Sequence, residues 1–217
     1  LIYTPPADYN GEVYLKTIIN DQGNLGAGSA LTNDTSAGAD EVKITIVAYN
    51  DAPFITAEAA LLETEEDTVI TFNSANSNAL SVVDVDYDET TAGLLMVTLS
   101  VTNGKLTLNS TADLDNNFTF LIGNGSEDSA MIFSTTEASL NTALDGMTYT
   151  PNADYNESDG TSTLSLTISD QGQTGSGGTL TATQSIPITV KAINDSPVVT
   201  LISEATIEED NTYSLAS

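Results

Sequence analysis

Apolar and polar residues alternate with a period of two along several short stretches of the chain. Leu15, Thr17 and Ile19 alternate with Lys16 and Ile18, as Leu164, Leu166 and Ile168 do with Ser165 and Thr167. This patterning predicts half-buried strands. Each is followed by a glycine-rich loop, Gly23 to Gly28 or Gly172 to Gly178, and then by a further strand, Val42-Ile44-Ile46 or Ile186-Ile188-Val190. Pro187 lies inside the second of these and has no N–H for a ladder, which places it at an edge or a bulge.

Between these copies the pattern predicts strands at Phe54-Ile55, at 69–72 and at 80–83. Leu95 to Val101 and Lys105 to Leu108 are predicted to pair as a hairpin through Asn103-Gly104, and 118–122 and 131–133 to flank the turn Gly123-Asn124-Gly125. One stretch, 135–144, is predicted helical. A Ser or Thr stands at its start, Leu140 and Leu144 share a face, and Gly146 lies just past its end. Its expected role is to close one end of a sandwich.

An internal repeat sets the frame. Tyr3-Thr4-Pro5-Pro6-Ala7-Asp8-Tyr9-Asn10 returns as Tyr149-Thr150-Pro151-Asn152-Ala153-Asp154-Tyr155-Asn156, and Asp21-Gln22-Gly23 as Asp170-Gln171-Gly172. Asn50-Asp51-Ala52-Pro53 returns as Asn194-Asp195-Ser196-Pro197, and Glu65-Glu66-Asp67 as Glu208-Glu209-Asp210. The separations are 146, 149, 144 and 143 residues, a period characteristic of tandem units. Residues 1–50 then form the C-terminal part of one repeat, 51–194 a complete repeat and 195–217 the opening of a third.

Composition narrows the chemistry. Four Lys and Arg stand against 31 Asp and Glu, for a formal charge of -27, which excludes nucleic acid and anionic membrane as partners. With 40% apolar residues, many of them β-branched, the chain is read as folded and β-rich. There is no Cys and no His, so disulfides, thiolate or imidazole metal sites and His-based triads are excluded. No apolar run approaches the roughly 20 residues of a membrane helix, and the start Leu1-Ile2-Tyr3 lacks the features of a signal peptide.

The order Ala-Asp-Tyr-Asn, a strand ending in Asp, then Ile-Thr-Ile-Val-Ala-Tyr-Asn-Asp-Ala-Pro-Phe over 44–54 resembles the second half of a cadherin repeat. More closely it is similar to the cadherin-like tandem repeats of very large bacterial extracellular adhesins. The resemblance implies all-β architecture: seven-stranded Greek-key β-sandwich (cadherin/Ig-like) repeats joined end to end. The short helix and the rest of 100–146 would be an insert in the complete repeat. It also implies Ca2+ at each junction and an extracellular or cell-surface location.

For the first junction the resemblance maps Asp8 and Asn10 from the preceding repeat, Asn50 and Asp51 from the linker, and Asp84, Asp86 and Asp170 from the following repeat. For the second it maps Glu65, Glu66, Asp154, Asn156, Asn194 and Asp195. Strand alternation independently puts the carboxylates of Asp84, Asp86 and Asp88 on one side, and calcium takes about six to eight oxygen ligands. The chain departs from the cadherin pattern at Ala48 and Ala192, where an Asp is usual, and at Asn10 and Asn156, where Glu is usual. Fewer or weaker ions follow, and the Asp51 carboxylate becomes the expected keystone.

Blander readings exist for each feature. Asn-Asp-x-Pro is also turn chemistry, and Asp84 to Asp88 could be a solvated acidic loop. Paired carboxylates can mark a glycosidase, but these recur at equivalent places in each copy without Trp or His, so an enzyme is not expected. Asn-x-Ser/Thr sequences at Asn33, Asn109, Asn117, Asn124 and Asn156 are attributed to composition. Lys16, Lys43, Lys105 and Lys191 are read as solvated, in preference to isopeptide cross-links.

The leading expectation is a calcium-rigidified spacer or stalk of a large extracellular adhesin or filament. Its partners would be neighbouring repeats, with a surface ligand engaged through other domains and no membrane insertion. The alternative is a recognition module that binds glycan or protein through the 100–146 insert. A third possibility is homophilic strand exchange or lateral assembly.

Overall fold

The strand at Ser162–Ser169 shows the alternation realised. Ser162, Leu164, Leu166 and Ile168 are buried, and the residues between them are half-buried. Every second side chain of a pleated strand points to one face, so one face of this strand is core. The computed structural model describes residues 1–20, 32–33, 41–87, 93–111, 118–197, 206–207 and 209–210. The loop from Gly23 to Gly28, Asp88, Glu89, Asn117, Glu208 and most of 195–217 lie outside the described residues.

In chain order the strands of the first part are β1 (Gly11–Lys16), β2 (Ile19–Asn20), β3 (Thr32–Asn33) and β4 (Glu41–Ile46). Next come β5 (Phe54–Ala57), β6 (Leu62–Glu65), β7 (Ile70–Thr71), β8 (Leu80–Val83), β9 (Leu95–Val101) and β10 (Gly104–Thr107). β11 (Thr119–Ile122), β12 (Ala130–Thr135), the helix α1 (Glu137–Leu144), β13 (Thr148–Pro151), β14 (Ser162–Ser169) and β15 (Thr181–Lys191) complete the series.

The main sheet has the order β11-β12-β9-β14-β15-β6, antiparallel except for the parallel pair of β15 and β6. A three-stranded sheet, β10-β13-β7, and the pair β5-β8 supply a second layer, and β1-β4 and β2-β3 are separate antiparallel pairs. Apolar side chains of both layers form one core that includes Phe72, Leu80, Val82, Leu106 and Tyr149 from one side and Val97, Leu99, Phe133, Leu166 and Ile188 from the other. The chain is thus almost all-β and of sandwich type, with one short helix inserted.

Two expectations about local structure are corrected. Asn103 adopts the left-handed conformation, φ 55°, as its turn chemistry predicts, yet β9 and β10 do not pair as a hairpin. β9 joins the main sheet, whereas β10 pairs with β13 in the other layer. The turn is therefore a corner between layers, pinned where the Tyr149 hydroxyl donates to the Asn103 carbonyl at 3.1 Å. Gly104 is required there, because a Cβ would lie 2.2 Å from the Tyr149 ring. Asp84 to Tyr87 is not a strand but a turn, closed by the Tyr87 N–H on the Asp84 carbonyl.

Other expectations hold. α1 is capped by the Thr136 hydroxyl, which accepts from the Ser139 N–H at 3.2 Å, and it buries Leu140, Ala143 and Leu144. It lies over β8 and ends at Gly146, φ 96°. β11 and β12 pair around the Gly123-Asn124-Gly125 turn. Pro187 sits opposite Thr163 of β14, while β6 begins to pair only at Ile188, so the outer side of β15 is open at the proline.

Candidate functional site

The first junction is built around Asn50, not Asp51. Asn50 is 1% exposed. Its amide nitrogen donates to Asp170 Oδ2 at 2.6 Å and to the Gly178 carbonyl at 2.9 Å, and its Oδ1 accepts from the Thr174 hydroxyl at 2.7 Å. The backbone joins in: the Asn50 N–H donates to the Ser176 carbonyl at 2.9 Å, and the Ser176 N–H to the Ala48 carbonyl at 3.1 Å. One amide side chain thus sews the end of the first segment into the glycine-rich loop that follows β14. Gly175 is needed for that approach, because a Cβ there would lie 2.8 Å from the Tyr49 backbone.

Asp51 itself has an exposed side chain, and the junction uses its backbone, whose N–H donates to Asp86 Oδ2. Asp84, Asp86 and Asp170 are buried, at 8%, 3% and 6% exposure, while Val85 between the first two is 50% exposed. Asp84 and Asp86 are both buried while Val85 is exposed, but a turn and not a strand places them so, and Asp88 lies outside the described residues. Asp84 Oδ1 accepts from the Asp86 N–H at 3.1 Å, and Asp170 Oδ1 from the Gly172 and Leu180 N–H groups, each at 2.8 Å. Glu137, at the start of α1, accepts the Asp84 N–H at 2.9 Å.

Burial pushes the Asp84 carboxyl above its ordinary range. The Asp86 N–H opposes this, and the charges of Asp86, Asp170 and Glu137 add to it. Asp8, Tyr9, Asn10, Val47, Ala48, Tyr49, Asp51 and Asp86 line a cavity of about 220 Å³ beside the junction. The structure therefore brings Asp8, Asn10, Asp51 and Asp86 around one hollow, whereas Asp84 and Asp170 line a second, smaller one.

At the second junction Glu66 is buried, 6% exposed. Its Oε1 accepts the Ile193 N–H, and its Oε2 the Asn156 amide at 3.2 Å. Asn156 also caps the turn 157–159, accepting from the Ser158 N–H at 3.1 Å. Glu65, Asp154, Asn194 and Asp195 are exposed. The Asp195 carboxyl is shifted upward by partial desolvation and by the charges of Glu66, Asp154 and Asp67. Asp8 and Asp154 occupy the same left-handed conformation, φ 58° and 57°, as do Asp67 and Asp210, φ 60° and 65°, so equivalent motifs make equivalent turns.

The expectations of calcium-binding and of cadherin-like character are corrected. Among the described residues no group of three or more His, Cys, Asp or Glu is arranged to hold a metal ion. At Asp84 and Asp86 one carboxylate oxygen, and at Asp170 and Glu66 both, accept from N–H donors of the protein itself. A sandwich with one mixed sheet is shared by many families, so the fold does not mark a cadherin repeat in particular.

Sequence reasoning gave no junction role to Thr174, Ser176, Gly178 and Glu137, which hold the junction; the glycine-rich loop Gly172 to Gly178 and the Asp170-Gln171-Gly172 motif were the nearby signals. No helix among the described residues is long and apolar enough to cross a membrane.

No protein-family model matches the sequence, and no curated protein matches it. Among solved structures, the seventh ScaB type I cohesin from Pseudobacteroides cellulosolvens is similar at 14% identity with a TM-score of 0.32, over 68% of this chain and 99% of that chain. A likeness at this level fixes neither family nor partner.

Proposed function

We propose that the chain is a stretch of end-to-end β-sandwich repeats in a large extracellular or cell-surface protein. Residues 1–50 close one repeat, 51–194 form the next and 195–217 open a third. The role is that of a structural spacer whose junctions are locked by buried amide–carboxylate hydrogen bonds. Asn50 carries this reading, because its side chain and backbone tie residues 48–51 to residues 170–178, more than 100 residues away in sequence. The same junction motif recurs 144 residues later, and an equivalent lock at Asn194 would take its partners from the third repeat. The charge of -27 suits a long chain that must stay soluble and extended.

Replacing Asn50 by Ala leaves a buried carboxylate oxygen and a buried hydroxyl without their partner, at a cost of about 1–3 kcal/mol concentrated at the junction. Small-angle scattering of the parent and of Asn50→Ala tests the mechanism. The expected result is a broader spread of dimensions in the variant, and identical profiles overturn it. The same measurement with calcium added and with a chelator gives superimposable curves if hydrogen bonds hold the junction. A chelator-dependent change overturns the hydrogen-bonded lock.

A second reading is favoured by one observation. The stretch 100–146 carries the uncharged, exposed edge strand β11, which suits contact with another protein.

A further inference from the structure

The strand β8 is paired along one edge only. β5 takes that edge, and among the described residues no strand lies on the other. An open edge presents N–H and C=O groups that must find a partner or invite another chain. β8 reads Leu-Ser-Val-Val and has no charge of its own to discourage such pairing. The helix α1 lies over it instead. Asn141 Oδ1 accepts the Val82 N–H at 2.8 Å, and Asn141 Nδ2 donates to the Val82 carbonyl at 2.8 Å. One turn earlier on the helix, Glu137 Oε2 accepts the Asp84 N–H at 2.9 Å.

The two elements match in spacing. Four residues of helix rise about 6 Å and two residues of strand about 6.6 Å, so side chains at 137 and 141 meet backbone groups at 84 and 82. The numbers run in opposite senses, as in an antiparallel pair. A carboxamide carries the donor and the acceptor of a peptide group, and Asn141 exchanges both bonds with Val82 as a residue of a neighbouring antiparallel strand would. Val82 is 0% exposed, so water cannot replace these bonds without an opening of the structure. The helix itself is anchored separately, by Leu140, Ala143 and Leu144 in the core.

We infer that α1 is a strap: it stands in for a strand on the open edge of β8 and, through Glu137, positions the junction. Three hydrogen bonds run in series from the helix to the linker. Glu137 holds the Asp84 N–H, Asp84 Oδ1 accepts the Asp86 N–H at 3.1 Å, and Asp86 Oδ2 accepts the Asp51 N–H. Glu137 thus fixes the start of the turn 84–87, and that turn receives the backbone of the linker. Displacing α1 opens the β8 edge and frees the turn together, so whatever acts on the helix within 100–146 reaches the linker. The inference rests on the reading of residues 48–51 as a junction between repeats, but it uses a set of bonds separate from those of Asn50.

Residue-resolved amide exchange on the intact chain tests it. Glu137→Ala removes the acceptor of the Asp84 N–H and should quicken exchange at Asp84, Asp86 and Asp51 at least about fivefold. Glu137→Gln keeps an oxygen at that place and should restore slow exchange at all three. Asn141→Ala should quicken Val82 above all. Leu166 and Ile168, in the centre of the main sheet, should exchange as in the parent in every variant. If Glu137→Ala quickens Asp84 but leaves Asp86 and Asp51 unaltered, Glu137 serves the β8 edge alone and the strap does not position the junction. Equal quickening at Leu166 would mark global opening and overturns the inference as well. The scattering of Asn50→Ala reads the junction separately. Unchanged scattering there with quickened Asp51 exchange in Glu137→Ala removes the Asn50 lock and keeps the strap, and the reverse pair of results removes the strap alone.

Discussion

The pair β1-β4 and the pair β14-β15 follow the same period-two pattern, but their surroundings differ. In β14 and β15, Leu164, Leu166, Ile168, Ile186, Ile188 and Val190 are at most 2% exposed. In β1 and β4 the equivalent face carries Val13, Leu15, Ile44 and Ile46, all only half-buried, and Val42 at 57% exposure. Tyr155 is 8% exposed and Tyr9 41%. An alternating sequence is enough to make a strand, but burial of its apolar face needs a second layer. β14 and β15 receive one from β7, β10 and β13 and from β5 and β8, whereas β1 and β4 have no such layer among the described residues.

The largest expected effect breaks this comparison directly. Leu166→Ala removes a fully buried core side chain and should cost about 2–5 kcal/mol. Leu15→Ala removes a similar side chain from a face that is already half in water, and should cost less than about 1 kcal/mol. Denaturant unfolding of the two variants measures the difference. Equal losses would mean that β1-β4 is covered in solution.

The two junction asparagines sharpen it next. Asn50 is buried with three side-chain hydrogen bonds, whereas among the described residues Asn194 is exposed and its amide donates to the Asp195 carbonyl at 3.4 Å. Asn50→Ala should cost about 1–3 kcal/mol, leaving Asp170 and Thr174 without a partner, and Asn194→Ala about 0.5 kcal/mol or less. Amide exchange at Gly172 and Leu180, which bond the same Asp170, should quicken only in the first variant.

Much of this was legible in the sequence because it is local. The cap, the leucine face and the terminal glycine of α1 lie within a dozen residues, and the alternation of β14 and β15 within one strand each. The hairpin expectation failed because Asn103-Gly104 specifies a turn but not the partner of the strand after it. That partner, β13, is chosen by packing around Tyr149. The junction was found as a place and misread as chemistry. Carboxylates drew attention to Asp51, whereas the buried group is the neutral amide beside it. Its partners Thr174 and Asp170 lie 124 and 120 residues away, and Glu137, which holds the Asp84 N–H, is separated from it by 53 residues. No local pattern announces pairings of that span.

The junction also gives a pH-dependent difference. The folded-state pKa of Asp84 is raised, chiefly by burial, so the native chain binds its proton more readily than the unfolded chain does. The ionised group therefore costs stability above the raised pKa, and the cost fades as pH falls through it towards the ordinary carboxylate value. Asp84→Asn keeps an oxygen for the Asp86 N–H and removes the charge. It should unfold at higher denaturant concentration than the parent at neutral pH, and the two midpoints should converge on acidification. A variant that is less stable at neutral pH would show that the charge is held by a favourable partner.

The smallest effect is expected at the exposed ion pairs, one in each of the regions compared. Glu12 and Lys43 join β1 to β4, and Glu63 and Lys191 join β6 to β15 at 2.7 Å. Both pairs are about half exposed, so water and salt screen them and long side chains must be ordered to form them. Glu12→Gln and Glu63→Gln should each leave the unfolding midpoint unchanged within error at physiological salt. A measurable loss in Glu12→Gln alone would sharpen the opening contrast, because it would show that β1-β4, whose apolar face is only half-buried, depends on a surface contact that its buried counterpart can lose without consequence.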